Sequence, residues 1–336
     1  MFPGCLLYVR GSAKYALPPW VCALAALASL SLAGTAPSSQ DPSPSLHLAD
    51  RLREHAVHLA GTIGERNVWR PNALHAAADY IRQEWQRQSY DVATQRYVAY
   101  DVSSENLEIT HTGSTSPAEI ILLGAHYDSV RGSPGADDNA SGVAALLEIG
   151  RVLKTASVGR TVRLVAFVNE EPPFFYWRAM GSSQYAQAAR RRGDDIRVML
   201  SLEMLGAYSD RPHSQSYPPI IGLFYPDRAN FIAFVSDLSS RHVLKRLVDA
   251  FRGVSSFPSE YLAAPSLVPG VSWSDHLSFW REGYPALMVT DTSFYRYAYY
   301  HKAKDTPEKL DYVRMAQVVE GLAKAIIMLA NDERPL

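Results

Sequence analysis

The stretch TVRLVAFVNEEPPFF, residues 161–175, joins an apolar run to a pair of adjacent glutamates. The apolar run over residues 162–168 is typical of a strand that is buried on both faces of a sheet. Glu170 and Glu171 then lie at the carboxyl end of that strand, where open α/β sheets bind their ligands. The stretch therefore predicts an α/β fold with two carboxylates at the ligand-binding edge. A solvated surface is the alternative for such a pair.

The rest of the chain alternates between strand and helix patterns. Apolar side chains at three- and four-residue spacing predict helices over residues 46–60, 71–88, 141–154 and 311–330. Short apolar runs predict further buried strands at 120–123, 198–202 and 286–290. This alternation favours one three-layer α/β/α domain with a mostly parallel central sheet.

Composition excludes some classes of function. The chain has 336 residues, 47% of them hydrophobic and 20% charged, which is typical of a globular enzyme. Its formal net charge of -1 leaves no basic surface for nucleic acid. We therefore expect no nucleic-acid partner.

The amino-terminal segment has the layout of a secretory signal peptide. Arg10 and Lys14 precede an apolar segment, residues 20–34, and a stretch rich in proline and serine follows. The apolar segment is shorter than the ~17 to 25 residues that cross a bilayer. We predict a signal peptide over residues 1–36, cleaved near Ala33 or Ala36, a linker over 37–45 and one domain over 46–334. An uncleaved anchor is the alternative.

This layout predicts a secreted or periplasmic protein with no stable membrane association after cleavage. Both cysteines, Cys5 and Cys22, lie in the predicted signal peptide. The mature protein would therefore contain no disulfide, and histidines and carboxylates would have to bind any metal.

Polar side chains follow the predicted buried strands at the point where each strand ends. They are His126, Asp128, Glu170, Glu171, Glu203 and Asp291. Clustered carboxylates repel one another, so their convergence indicates a bound cation. A hydrolytic zinc uses histidine nitrogens and carboxylate oxygens and keeps one position open for water. The loop GADDNASG, residues 135–142, brings two more carboxylates close behind His126.

Six motifs together resemble one enzyme family. They are GAHYDS, PGADDNASGVAALLE, NEEPPFF, LSLEMLG, SDHLSFW and YYHKAKDTPEKLDY. In this order the motifs are similar to those of the zinc-dependent exopeptidases that include bacterial leucyl aminopeptidases, glutamate carboxypeptidase and glutaminyl cyclase. The resemblance covers residues 46–334. It implies a mixed eight-stranded sheet, two zinc ions per chain and an aminopeptidase that removes the amino-terminal residue of peptide substrates.

The resemblance also implies a set of metal ligands. It makes Asp137 the ligand that bridges the two zinc ions. It assigns His126 and Glu203 to one zinc ion, and Glu171 and His301 to the other. Glu203 departs from the pattern, since many family members have aspartate there.

Two further residues take catalytic roles by the same resemblance and its chemistry. Glu170 is left as the general base, and Asp128 fits the carboxylate that orients the His126 ring. The family often has a cis peptide bond after the bridging aspartate, which predicts one at Asp137-Asp138. A glutaminyl cyclase with one zinc ion, or a metal-free binding protein, are the alternatives; the full ligand set argues against both.

Other polar and aromatic residues allow two interpretations. Asp275 and His276 either contact substrate or cap a helix. Aromatic residues over 172–177 and 294–301 either pack in the core or line an apolar pocket. Histidines outside the motifs are predicted to lie on the surface, and they are His55, His58, His75 and His111.

Overall fold

The central sheet has eight strands in a computed structural model that describes residues 43–218 and 221–336. The strands are β1 (Ala93–Ala99), β2 (Val102–His111), β3 (Ser116–His126), β4 (Arg160–Phe167), β5 (Asp195–Glu203), β6 (Ile232–Ser236), β7 (Ser259–Ala263) and β8 (Ala286–Thr290). Their order across the sheet is β1-β2-β4-β3-β5-β8-β6-β7. The four central strands, β4, β3, β5 and β8, are parallel, whereas β1 and β6 run antiparallel to their neighbours β2 and β8. The predicted mixed sheet is confirmed.

Seven α-helices accompany the described strands. They are α1 (Ser43–Ala56), α2 (Pro71–Arg87), α3 (Gly142–Leu153), α4 (Gly181–Arg192), α5 (Arg241–Val254), α6 (His276–Arg281) and α7 (Tyr312–Asn331). A π-helical turn, Val57–Ile63, continues α1. None of the helices in the two described ranges has both the length and the apolar content needed to cross a bilayer.

Most of the amino-terminal predictions concern residues outside the two described ranges. The predicted signal peptide, Cys5, Cys22 and residues 37–42 of the predicted linker lie outside the described residues. Residues 43–45 belong to the first turn of α1. The predicted end of the linker at residue 45 is therefore wrong, because the helix begins three residues before the predicted domain.

Both faces of the sheet are covered, which explains the continuous apolar runs. Ile121 and Leu123 of β3 pack in the larger core with α1, α2, α3, α5 and α7. The alternate residues Ile120 and Leu122 pack on the opposite face against α4 and α6. The predicted three-layer α/β/α sandwich is confirmed.

The ring of Phe167 of β4 packs directly on Gly124 of the neighbouring strand β3. A Cβ atom added to Gly124 would lie 2.2 Å from Cε2 of Phe167, well inside van der Waals contact. Only glycine therefore fits here, two residues before His126 at the end of β3.

A buried ion pair joins α1 to α3. Glu148 of α3 accepts hydrogen bonds from Arg51 Nε at 2.7 Å, and its Oε1 lies 3.2 Å from His55 Nε2. Burial opposes ionisation, but these contacts outweigh it and lower the pKa of Glu148 to about 2. The prediction that His55 lies on the surface is wrong, because the ring is buried against this carboxylate and Tyr80.

Candidate metal centre

Three neighbouring parallel strands bring the site together. His126 is the last residue of β3 and Glu203 is the last residue of β5. Glu170 and Glu171 follow the end of β4. Because β4, β3 and β5 are adjacent and parallel, their carboxyl ends meet at one edge, as the strand-end pattern predicts.

The loop between β3 and α3 passes beneath these strand ends. It turns at Gly135, whose φ of 61° and ψ of 60° are left-handed and favour glycine. Asn139 anchors the loop to β5, since its side chain donates to Leu202 O at 2.8 Å and accepts from Met204 N at 3.1 Å. A cis peptide bond joins Asp138 to Asn139.

Two groups of potential metal ligands share the carboxylate of Asp138. The Oδ1 atom of Asp138 lies 3.3 Å from Nε2 of His126, and the same nitrogen lies 3.4 Å from Oε2 of Glu203. Its Oδ2 lies 3.2 Å from Nε2 of His301, which lies 3.3 Å from Glu171 Oε2. Each group offers one nitrogen and two carboxylate oxygens, all within 4.8 Å of one another. Four of the five predicted ligands therefore lie in these two groups.

The fifth predicted ligand, Asp137, is replaced by its neighbour. Asp137 belongs to neither group, and its Oδ1 accepts a hydrogen bond from Gly206 N at 2.9 Å. The backbone N–H groups of both Asp137 and Asp138 donate to the carboxylate of Asp305, and this fixes which side chain faces the histidines. The prediction of a bridging Asp137 is wrong, and so is that of a cis bond at Asp137-Asp138.

The donor set fits zinc. His126 Nε2 and Glu171 Oε1 are fully buried and have no hydrogen-bond partner among the described residues. Unpaired buried polar atoms are costly, so they indicate a missing partner. Two groups of one imidazole and two carboxylates, with a shared carboxylate, suit the ligand preferences of a pair of zinc ions.

The electrostatics of the groups lead to the same conclusion. Burial and the charge of Asp138 raise the pKa of Glu171 to about 7. Burial also raises the pKa of Glu203. Burial would lower the pKa of His301, but contacts with Asp138 and Glu171 outweigh it and raise that pKa to about 10. The carboxylates thus favour positive charge at this position, and a bound metal ion would supply it.

Asp128 organises the glutamate pair. Its two carboxylate oxygens accept hydrogen bonds from the backbone N–H groups of Glu170 and Glu171, each at 3.1 Å. The Nδ1 atom of His126 lies 3.3 Å from the Asp128 carbonyl oxygen and 3.6 Å from Oδ1. Asp128 therefore holds the backbone of both glutamates and lies beside the ring that it was predicted to orient.

Glu170 stands apart from both ligand groups. Its Oε2 lies 3.9 Å from His126 Nε2, and burial raises the pKa of its carboxyl well above the usual value. It belongs to neither group of three. A buried carboxyl with a raised pKa beside potential metal ligands suits general acid-base chemistry.

Arg66, which the sequence patterns did not single out, braces the loop from below. The buried guanidinium donates to the carbonyl oxygens of Tyr127 at 2.6 Å and Gly135 at 2.8 Å, and also to that of Pro134. Burial lowers the pKa of Arg66 to about 10, so the side chain remains a cation at neutral pH. This cation offsets part of the negative charge above it.

Three other strand-end or motif residues do not join the two groups. The carboxylate of Asp291 accepts hydrogen bonds from Ala207 N and Ser293 N. Asp275 and His276 are fully buried, and Asp275 makes no side-chain cap on α6.

A cavity opens directly beside the site. It measures about 100 Å³ and extends from Glu203 and Tyr300 to the far strands of the sheet. Phe294 and Tyr295 line it, which supports a lining role for part of the aromatic stretch 294–301. Ser274, within SDHLSFW, donates to Glu203 Oε2 at 2.7 Å and so helps to hold the wall of the cavity.

This fold, with clustered histidine and carboxylate side chains at its strand ends, defines a zinc metallopeptidase, a class of hydrolase. A family model described as Peptidase family M28 matches residues 106–326, and the chain belongs to that family. It is 36% identical over 302 residues to the uncharacterized protein YfbL of Escherichia coli K12, covering 87% of this chain and 91% of that protein.

Two further relatives are described as aminopeptidases. The probable aminopeptidase YDR415C of Saccharomyces cerevisiae is 26% identical over 298 residues, which cover 84% of this chain and 68% of that protein. The structure of BSAP, a zinc aminopeptidase from Bacillus subtilis, matches with a TM-score of 0.67 and 16% identity, over 85% of this chain and 96% of that chain. At that identity, the structural likeness bears on the fold alone.

Proposed function

We propose that this protein is an exported aminopeptidase that uses two zinc ions to remove the amino-terminal residue of peptides. The observation that carries the proposal is the pair of ligand groups that share Asp138. Each group offers three protein ligands, the number typical of catalytic zinc sites with an open position. The description of the Saccharomyces cerevisiae relative as a probable aminopeptidase supports the same reaction.

Glu170 is the general base in this proposal. Its carboxylate lies within the site but outside both ligand groups, so it is free to take a proton from the attacking water and return it to the leaving amine. When bound, zinc at such a site polarises the scissile carbonyl and acidifies water. Asp128 fixes the main chain of Glu170, and Ser274 fixes the carboxylate of Glu203.

The cavity beside Glu203 receives the side chain of the residue to be removed. Its lining includes Glu203, a member of the ligand group of His126 and Asp138, and the carboxylates of that group would attract the free amino group of a peptide. This arrangement favours cleavage after the first residue only. A substrate whose amino group is blocked would lose that attraction.

Aminoacyl p-nitroanilides and their N-acetylated counterparts test this proposal. The zinc-loaded protein is expected to hydrolyse the free aminoacyl compounds and to leave the acetylated ones uncleaved. Metal content is measured on the same sample: two zinc ions per chain agree with the proposal, and one zinc ion with no hydrolysis indicates a glutaminyl cyclase. A chain that binds no zinc and cleaves nothing would be a binding protein instead.

Export rests on the amino-terminal sequence. Arg10, Lys14 and the apolar segment 20–34 have the order of a signal peptide. Expression of the full chain in a bacterial host, followed by fractionation and intact-mass measurement, tests this. The expected mature protein begins after Ala33 or Ala36 and lies outside the cytoplasm; an uncleaved chain in the membrane fraction would contradict the proposal.

A further inference from the structure

A row of four paired residues connects the candidate metal centre to the edge of the sheet. Glu203 of β5 pairs with Thr290 of β8, Thr290 pairs with Ala233 of β6, and Ala233 pairs with Glu260 of β7. All four line the cavity. Neighbouring strands lie about 4.8 Å apart, so the row spans about 14 Å from Glu203 to Glu260.

The walls between these two ends are largely apolar and aromatic. Tyr217 and Tyr225 stack with ring centroids 5.8 Å apart, and Trp273 and Phe294 lie together with centroids 5.2 Å apart. All four rings belong to the lining of the cavity. Aromatic faces of this kind bind hydrocarbon chains and also attract cations.

Glu260 is the one acidic side chain at the far end of this cavity among the lining residues that the structure describes. It is half-buried and has no salt-bridge or hydrogen-bond partner for its carboxylate within residues 43–218 and 221–336. Burial raises the pKa of Glu260. A cation that enters the cavity would form a charge-assisted hydrogen bond with this carboxylate and stabilise its ionised form.

The polar groups whose charges are coupled to that of Glu260 already have other hydrogen-bond partners. Tyr217 donates its hydroxyl hydrogen to Pro226 O at 2.6 Å, and Tyr225 donates to Tyr261 O at 2.8 Å. Arg252, whose charge moderates the pKa of Glu260, directs its guanidinium to the side chain and carbonyl oxygen of Ser259. No neighbouring group therefore neutralises the carboxylate by direct contact in the part of the chain that is described.

We infer that Glu260 makes this cavity selective for peptides whose first residue is lysine or arginine. The inference rests on the proposed aminopeptidase function and names the substrate class of the same site. A lysine side chain spans roughly 6 Å from Cα to Nζ. The substrate residue also makes a contact of about 3 Å at each end, one with the ligand group that contains Glu203 and one with Glu260. The lysine side chain and these two contacts together have a length comparable with that of the row. Its hydrocarbon stem lies between the aromatic walls, and its ammonium group meets the carboxylate.

Lysyl and norleucyl p-nitroanilide form the matched substrate pair, because the two side chains have similar length and differ mainly in the terminal charge. The wild-type protein is expected to favour lysyl over norleucyl substrate by about tenfold or more in kcat/KM, since charge-assisted bonds exceed exposed ion pairs in strength. Glu260→Gln is expected to remove about tenfold of that preference, while the norleucyl rate stays within about twofold.

Two control variants separate this effect from general damage. Glu260→Asp keeps the charge on a shorter arm and is expected to retain part of the lysyl preference; it also serves if Glu260→Gln does not fold. Glu54→Gln removes an exposed carboxylate on α1 and is expected to leave both rates unchanged. Equal losses for lysyl and norleucyl substrates in Glu260→Gln would overturn the inference.

Calorimetric titration of the zinc-loaded protein with free L-lysine and L-norleucine measures binding in the cavity without catalytic turnover. Tighter binding of lysine by the wild-type protein, lost in Glu260→Gln, supports the inference even if no p-nitroanilide is cleaved. Absence of all hydrolysis would then refute the proposed function alone. Equal affinities for the two amino acids would overturn the role of Glu260, whatever the hydrolytic activity.

Discussion

Exchanging each of two adjacent aspartates for asparagine gives the sharpest test of the metal centre. Asp138→Asn removes a charged oxygen from both ligand groups, which leaves His126 with Glu203 and Glu171 with His301. Two ligands are fewer than the three that catalytic zinc sites keep. The affinity for zinc should therefore fall by more than the ~10 to 100-fold that partners outside the coordination sphere contribute.

Asp137→Asn is the matched control. Asp137 lies outside both groups, and burial, together with the charges of Asp291 and Asp305, raises the pKa of its carboxyl well above the usual value. Asparagine is similar in shape and uncharged, and its amide oxygen can still accept the hydrogen bond from Gly206 N. Zinc affinity should therefore remain within about tenfold of the wild type.

Two measurements are made on both variants. The first is the number of zinc ions per chain after dialysis against buffered zinc, and the second is thermal unfolding with and without a chelator. Zinc that binds only the folded chain stabilises it, and each hundredfold loss of affinity removes about 2.7 kcal/mol of that stabilisation per site at saturating zinc. Asp138→Asn should lose this stabilisation and Asp137→Asn should keep it. The reasoning is refuted if Asp137→Asn loses zinc while Asp138→Asn retains it.

Three further predictions concern the base, the core and the buried ion pair. Glu170→Gln should keep its zinc and lose ~100- to 10,000-fold in kcat, whereas Glu171→Gln should lose both zinc and activity. Loss of zinc in Glu170→Gln would instead make Glu170 the metal ligand and Glu171 the general base. Gly124→Ala should lower the free energy of unfolding in urea by ~1 to 3 kcal/mol through overpacking. Gly253→Ala, where an added Cβ meets no atom within 4 Å, should not lower it, and equal losses would contradict the packing argument. Glu148→Gln should cost on the order of 3 kcal/mol at pH 7, because the folded pKa of about 2 lies below the unfolded value near 4.3. The difference in free energy of unfolding between wild type and Glu148→Gln should shrink as pH falls from about 4.5 to 2, because the carboxylate becomes protonated. A difference that does not change with pH would show that the ionised carboxylate is not its source.

The central strands could be predicted from the sequence because both of their faces are buried. Residues 162–168 and 198–202 are apolar except for Arg163 and Ser201 for this reason, and the polar residues that follow them mark the edge of the sheet. The strands β6 and β7, which lie at one side of the sheet, were not predicted. Each has only five residues, and β6 follows a long segment with little regular structure. The pairing of Ala233 with Thr290 and Glu260, which forms the floor of the cavity, follows from tertiary structure alone.

The error between Asp137 and Asp138 has a similar origin. The two residues are identical and adjacent, so residue type cannot distinguish them. Asp305, far along the chain, accepts both of their backbone N–H groups, and Asn139 ties the loop to β5. These long-range bonds determine which carboxylate faces His126. A strand-end pattern can therefore predict that a loop contributes a ligand, but not which of two neighbours supplies it.

The spread of the ligand groups along the chain governs when peptide hydrolysis can begin during biosynthesis. His126 is the last residue of β3, whereas His301 comes after β8, the last described strand to be made. A growing chain that has not yet reached residue 301 cannot complete the group of Asp138, Glu171 and His301. The other group also waits, since β8 must pair with β5 before Glu203 has its full surroundings. If hydrolysis needs both ligand groups, as proposed, unfinished chains are inert toward neighbouring proteins, and the capacity to cut arises only with the finished molecule.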